Sequence, residues 1–83
     1  MKIELYGTQY CSYCAAARML LKKKGLEWEE IPVGGDPSAR RDMEARSGRH
    51  TVPQIFIEGQ PVGGFDELYE LEQSGELDRM LGR

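Results

Sequence analysis

Cys11 and Cys14 are the only two cysteines in this chain of 83 residues, and they share the stretch Tyr10-Cys11-Ser12-Tyr13-Cys14. The flanking pattern changes across that stretch. Lys2-Ile3-Glu4-Leu5-Tyr6 alternates polar and apolar residues and reads as a strand. After the loop Gly7-Thr8-Gln9, Ala15 to Lys24 is a run of strong helix formers that stops at Gly25. Cys11 is therefore expected at the mouth of a helix over about Ser12 to Lys24, with Cys14 in its first turn. A helix N-terminus offers unpaired N–H groups and partial positive charge, which favour a thiolate. The pKa of Cys11 is expected below that of a free thiol. As a thiolate Cys11 attacks disulfides, and Cys14, one turn on and more buried, resolves the mixed disulfide.

Other uses of the pair are weaker. A closed zinc site takes four ligands, and His50 is the only other obvious soft donor, so no metal is expected. A structural disulfide across so short a loop would gain little closure entropy. A C-x-x-C beside a strand–helix unit points to redox exchange.

The remaining chain supplies the frame. Strands are expected at about Glu27 to Ile31, at Gln54 to Ile57 and at Gln60 to Val62, the last two joined through Glu58-Gly59. Asp36 and Pro37 start a helix that runs to Ser47 and ends at Gly48. A third helix spans about Phe65 to Gln73, with Asp66 placed to cap it, and a short helical piece follows from Glu76 to Leu81. Ala16, Met19 and Leu20 are the expected inward face of the first helix. The order is β-α-β-α-β-β-α with a short terminal helix. It predicts an α/β fold with a four-stranded mixed sheet flanked by helices.

Length suits one domain, residues 1–83, with one small core. The net charge of −3 gives no reason to expect nucleic acid as a partner. No apolar run approaches the ~20 residues of a membrane span, and the N-terminus enters a strand without a signal-like apolar region. The expected compartment is the cytoplasm, where a lone cysteine pair is more often catalytic than structural.

Cys11-Ser12-Tyr13-Cys14, Ser47-Gly48-Arg49, Thr51-Val52-Pro53-Gln54-Ile55-Phe56-Ile57 and Gly63-Gly64-Phe65-Asp66-Glu67-Leu68 together resemble the glutaredoxins, most closely the bacterial glutaredoxin-3-like group. The resemblance covers nearly the full length in the family's order and spacing. It implies a thioredoxin-like fold and a glutathione-dependent disulfide oxidoreductase of the dithiol type, a monomer. Its partners would be glutathione, as co-substrate, and disulfide-bonded or glutathionylated proteins. It also implies a cis peptide before Pro53.

The site residues follow from that resemblance position by position. Val52 and Pro53 would offer backbone to the cysteinyl part of glutathione, with Thr51 beside the groove. Gly64, Phe65 and Asp66 would hold the γ-glutamyl end, Tyr13 would flank the ligand and Arg40 would meet the glycyl carboxylate. Two positions depart from the pattern: Thr8 stands where a lysine is common, and Ser12 where proline is. The first removes a cation that would favour the thiolate, a loss that Arg40 or Arg49 is expected to offset in part. The second keeps open an alternative, a [2Fe–2S] cluster-binding dimer acting in iron–sulfur carriage.

Overall fold

A computed structural model describes every residue from Met1 to Arg83. The elements in chain order are β1 (Ile3–Gly7), α1 (Ser12–Lys23), β2 (Glu29–Pro32), α2 (Pro37–Ser47), β3 (Gln54–Ile57), β4 (Gln60–Gly63), α3 (Phe65–Ser74) and α4 (Glu76–Met80). The four strands form one mixed sheet in the order β2-β1-β3-β4. β1 runs parallel to β2 and antiparallel to β3, and β3 and β4 form an antiparallel hairpin. Glu58 and Gly59 turn that hairpin with φ of 52° and 78°. Positive φ at both central residues matches the right-handed twist of the strands.

Side-chain alternation divides the core between the two faces. Ile3, Leu5, Ile55 and Ile57 point to one side and pack with Ala17 and Leu21 of α1, Leu68 of α3 and Leu77 of α4. Tyr6 and Phe56 point to the other side and pack with Val33 and with Met43 of α2. The Tyr6 and Phe56 rings meet edge-on at 5.5 Å. The crossover from β1 through α1 to β2 places the mouth of α1 at the carboxyl end of β1.

Local signals act where the sequence placed them. Asp36 accepts a hydrogen bond from the Ala39 N–H at 3.0 Å, Pro37 occupies the first turn of α2, and Gly48 ends it with φ of 73°. Two expectations need correction. β2 is Glu29–Pro32 rather than Glu27 to Ile31, because its parallel register pairs Glu29 with Glu4 and Pro32 with Gly7. The fully buried residues of α1 are Cys14, Ala17 and Leu21; of those expected inward, Leu20 is half-buried against the core, whereas Met19 is exposed. The run Ala15 to Leu21 is apolar on more than one side, so periodicity alone did not single out the buried stripe. No helix of the chain is long and apolar enough to cross a membrane.

Candidate active site at the mouth of α1

Cys11 is the N-cap residue of α1, extended at φ −104° and ψ 122°, and its sulfur accepts the Cys14 N–H at 3.4 Å. A thiol thus takes the place usually filled by a serine or aspartate oxygen. Burial pushes the Cys11 pKa up. The Cys14 N–H, the Cys14 thiol, the Tyr13 N–H and the Arg18 guanidinium outweigh it, and the net shift is downward. Cys14 is fully buried. There burial dominates, the neighbouring Cys11 adds to it, and the Cys14 pKa is raised despite the Thr8 N–H and Arg18. Both cysteines are free thiols. The pair thus sets a half-exposed sulfur with a lowered pKa beside a buried one with a raised pKa.

Two further segments border Cys11. The loop before β3 contains a cis Val52–Pro53 peptide, and the Val52 carbonyl accepts from the Cys11 thiol at 3.9 Å. Gln54 is buried, and its side-chain amide donates to the Thr51 carbonyl at 2.9 Å, holding the loop from below. The start of α3 is the other border. A Cβ on Gly64 would lie 3.4 Å from the Pro53 carbonyl oxygen, at van der Waals contact, so the start of α3 lies directly beside the cis-proline loop. The Gly64 N–H donates to the Glu67 carboxylate, which also binds Arg49 at 3.0 Å. Tyr13, itself mostly exposed, lies 6.5 Å from the Phe65 ring, which lies 5.8 Å from Tyr69.

The Glutaredoxin family model matches residues 3–62. This chain belongs to the glutaredoxin family. It is 47% identical over 79 residues to Glutaredoxin 3 of Escherichia coli strain K12, covering 95% of each protein. It is 47% identical to the glutaredoxin from Brucella melitensis, whose solution structure it matches with a TM-score of 0.85 over 98% of this chain and 88% of that one. The buckwheat glutaredoxin–glutathione complex superimposes with a TM-score of 0.87 at 26% identity, covering 96% of this chain and 76% of that one. The thioredoxin-like fold and a thiol–disulfide oxidoreductase activity follow from this membership. Glutaredoxins use glutathione, as the buckwheat complex illustrates.

Against that family frame, the structure brings Cys11, Cys14, Tyr13, Val52, Pro53, Gly64 and Phe65 to one end of the sheet. Asp66 does not cap α3; Glu67 completes the cap, and the exposed Asp66 carboxylate makes no hydrogen bond or ion pair in the chain. Arg40 donates to the His50 carbonyl at 2.9 Å and Arg49 pairs with Glu67, so neither supplies the cation expected at the thiolate. That cation is Arg18. It donates to the Thr8 carbonyl at 2.9 Å and to both Glu30 oxygens at 3.0 and 2.7 Å. Sequence reading passed over Arg18 because its partners come from a loop and from β2. Only its place one turn after Cys14 marked it in advance. Glu67 and Gln54 were missed for a similar reason: their roles are to hold backbone, which residue type alone does not announce.

Proposed function

We propose that this chain is a glutathione-dependent thiol–disulfide oxidoreductase that reduces glutathione mixed disulfides and protein disulfides through Cys11 and Cys14. The cytoplasm, kept reducing, suits such an activity. The observation that carries the reading is the contrast between the two sulfurs, one lowered and accessible, the other raised and buried.

The Cys11 thiolate attacks the glutathione sulfur of a mixed disulfide. An S–S bond forms between Cys11 and glutathione, the old S–S bond breaks, and the protein sulfur leaves as a thiolate. A second glutathione thiolate then attacks the bound glutathione sulfur, giving glutathione disulfide and regenerating the Cys11 thiolate. With a protein disulfide, Cys14 instead attacks the Cys11 sulfur and expels the protein thiolate. Two molecules of glutathione then reduce the Cys11–Cys14 disulfide.

The surroundings of Cys11 support a site for the tripeptide. Glutathione is extended, with two carboxylates and one ammonium. The backbone of Thr51, Val52 and Pro53 offers an edge for its middle, and the Phe65 N–H at the start of α3, beside the Gly64 N–H that Glu67 already occupies, suits a carboxylate. The unpaired Asp66 suits the ammonium, Tyr13 flanks the ligand, and Arg40 of α2, which reaches the His50 carbonyl just before that loop, suits the second carboxylate.

The test is a glutathione-reductase-coupled assay on a glutathione mixed disulfide, run beside reduction of a protein disulfide. Cys11→Ser is expected to abolish both reactions, and Cys14→Ser to keep the first and lose the second. Loss of deglutathionylation in Cys14→Ser would refute this division of roles.

A further inference from the structure

Arg18 is more than a cation near a thiol. Its guanidinium is held at three points, by the Thr8 carbonyl and the two oxygens of Glu30. Glu30 is held in turn by the Trp28 indole N–H at 3.0 Å. Gly7 shows where this assembly sits. A Cβ on Gly7 would lie 3.1 Å from an Arg18 terminal nitrogen and 3.1 Å from the Cys14 sulfur, so those two atoms are no more than twice that distance apart. The absence of a side chain at Gly7 lets them share one small space. Thr8 is engaged on both sides, its carbonyl receiving Arg18 and its N–H acting on the Cys14 sulfur.

We propose that Arg18, clamped by Glu30 and Thr8, is a positioning residue for the resolving half of the reaction, acting on Cys14 by fixing the Thr8 loop and holding positive charge beside the buried sulfur. The proposal rests on the dithiol reading above and goes beyond it. When Cys14 attacks Cys11, the Cys14 thiol must first give its proton to solvent water, and an anion forms inside the protein. The Cys14–Cys11 S–S bond then forms as the Cys11–substrate bond breaks, and the substrate sulfur carries the electron pair away. In the return step a glutathione thiolate attacks Cys11 and Cys14 leaves as a thiolate. Both steps pass through a buried Cys14 anion, and the monothiol route does not.

A thiolate fraction raised by a nearby cation outweighs the accompanying loss of nucleophilicity when the thiol pKa lies above ambient pH. Cys14 is such a thiol. The charged and titratable groups facing it are Cys11 and Arg18 from α1, with Glu30 of β2 reached through Arg18. Glu30 partly neutralises the guanidinium while holding it in place.

The experiment compares wild type, Arg18→Met and Arg18→Lys in two assays, protein-disulfide reduction and deglutathionylation, from slightly acid to alkaline pH. Cys14→Ser runs alongside, and thermal melts confirm that each variant is folded. Arg18→Met is expected to lower the ratio of the first rate to the second by about three- to tenfold near neutral pH. The deficit is expected to narrow as pH rises, because hydroxide then supplies the anion that the guanidinium no longer favours. Arg18→Lys, which keeps charge but not the fork, is expected to recover part of the ratio and of the pH profile. Equal losses in both assays, or a lowered ratio with no alkaline displacement of the profile, would overturn the proposal. If Cys14→Ser reduces protein disulfides as well as wild type, the dithiol reading itself fails. That outcome is distinct from a normal Cys14→Ser defect with a silent Arg18→Met.

Discussion

Each face of the sheet carries an arginine held by a glutamate. On the α1 face, Arg18 joins Glu30 beside the cysteines. On the α2 face, Arg46 binds Glu4 at 3.0 and 3.2 Å and the Tyr6 hydroxyl at 2.7 Å, while its guanidinium lies over the Phe56 ring at 4.1 Å. The Tyr6 hydroxyl donates in turn to Asp42. The chemical groups are alike and the settings differ. Glu4 is almost wholly buried and its pair spans the sheet to α2, with aromatic rings around it. Glu30 is part exposed, and what stands beside its partner is a sulfur that must change charge. One pair therefore fastens a helix, and the other adjusts a reaction. An ion pair takes its meaning from the group next to it rather than from its own geometry.

The sharpest way to break this contrast is Arg46→Met. It leaves Glu4 buried without its partner and is expected to cost about 2–4 kcal/mol of stability, read by chemical denaturation. The ratio of protein-disulfide reduction to deglutathionylation should stay put in the folded variant. Arg18→Met is expected to invert that result, with less than ~1 kcal/mol lost because the pair is part exposed, while the ratio falls. A large stability loss in Arg18→Met would merge the two clamps into one kind.

Acid separates them next. The Arg46 hydrogen bond outweighs desolvation and holds the Glu4 carboxyl below the usual glutamate range. A carboxyl with a lower pKa folded than unfolded contributes stability that is fully present above the unfolded value. It is lost as pH falls through the folded value. Denaturation curves should therefore show wild type losing more stability than Arg46→Met as the solution is acidified through the glutamate range. Parallel curves would contradict the role given to Glu4. The smallest effect is expected at the far end of α2, where Asp36→Ala removes the cap on Ala39 and should cost ~1 kcal/mol without changing either rate. A change in rate there would mean that α2 is coupled to the site, against the purely structural role given to it and its Arg46 clamp.

Much of this frame was legible in the residues because its signals are local. Asp36-Pro37 and Gly48 bracket α2, Glu58-Gly59 turns the hairpin, alternation marks β1, and Pro53 opens the apolar run of β3. The cysteine pair announced itself by spacing. What stayed hidden depends on partners distant in sequence. Glu4 of β1 meets Arg46 of α2, and Arg18 of α1 meets Glu30 of β2. The register of β2 was set by pairing with β1, not by its own alternation. The buried stripe of α1 was chosen by the sheet beneath it from several apolar sides. The resemblance assigned Arg40 and Asp66 to the glutathione groove. The structure shows Arg40 bonded to the His50 carbonyl and Asp66 without a partner in the chain.

The account depends most on opposite proton affinities in two sulfurs one helical turn apart. The direct measurement is the rate of thiol alkylation against pH in Cys14→Ser, which isolates Cys11, and in Cys11→Ser, which isolates Cys14. Cys11 should react with a midpoint below that of a free cysteine, and Cys14 slowly, with a midpoint above it. Equal midpoints, or the reverse order, would contradict the assignment of Cys11 as attacking thiolate and Cys14 as resolving thiol.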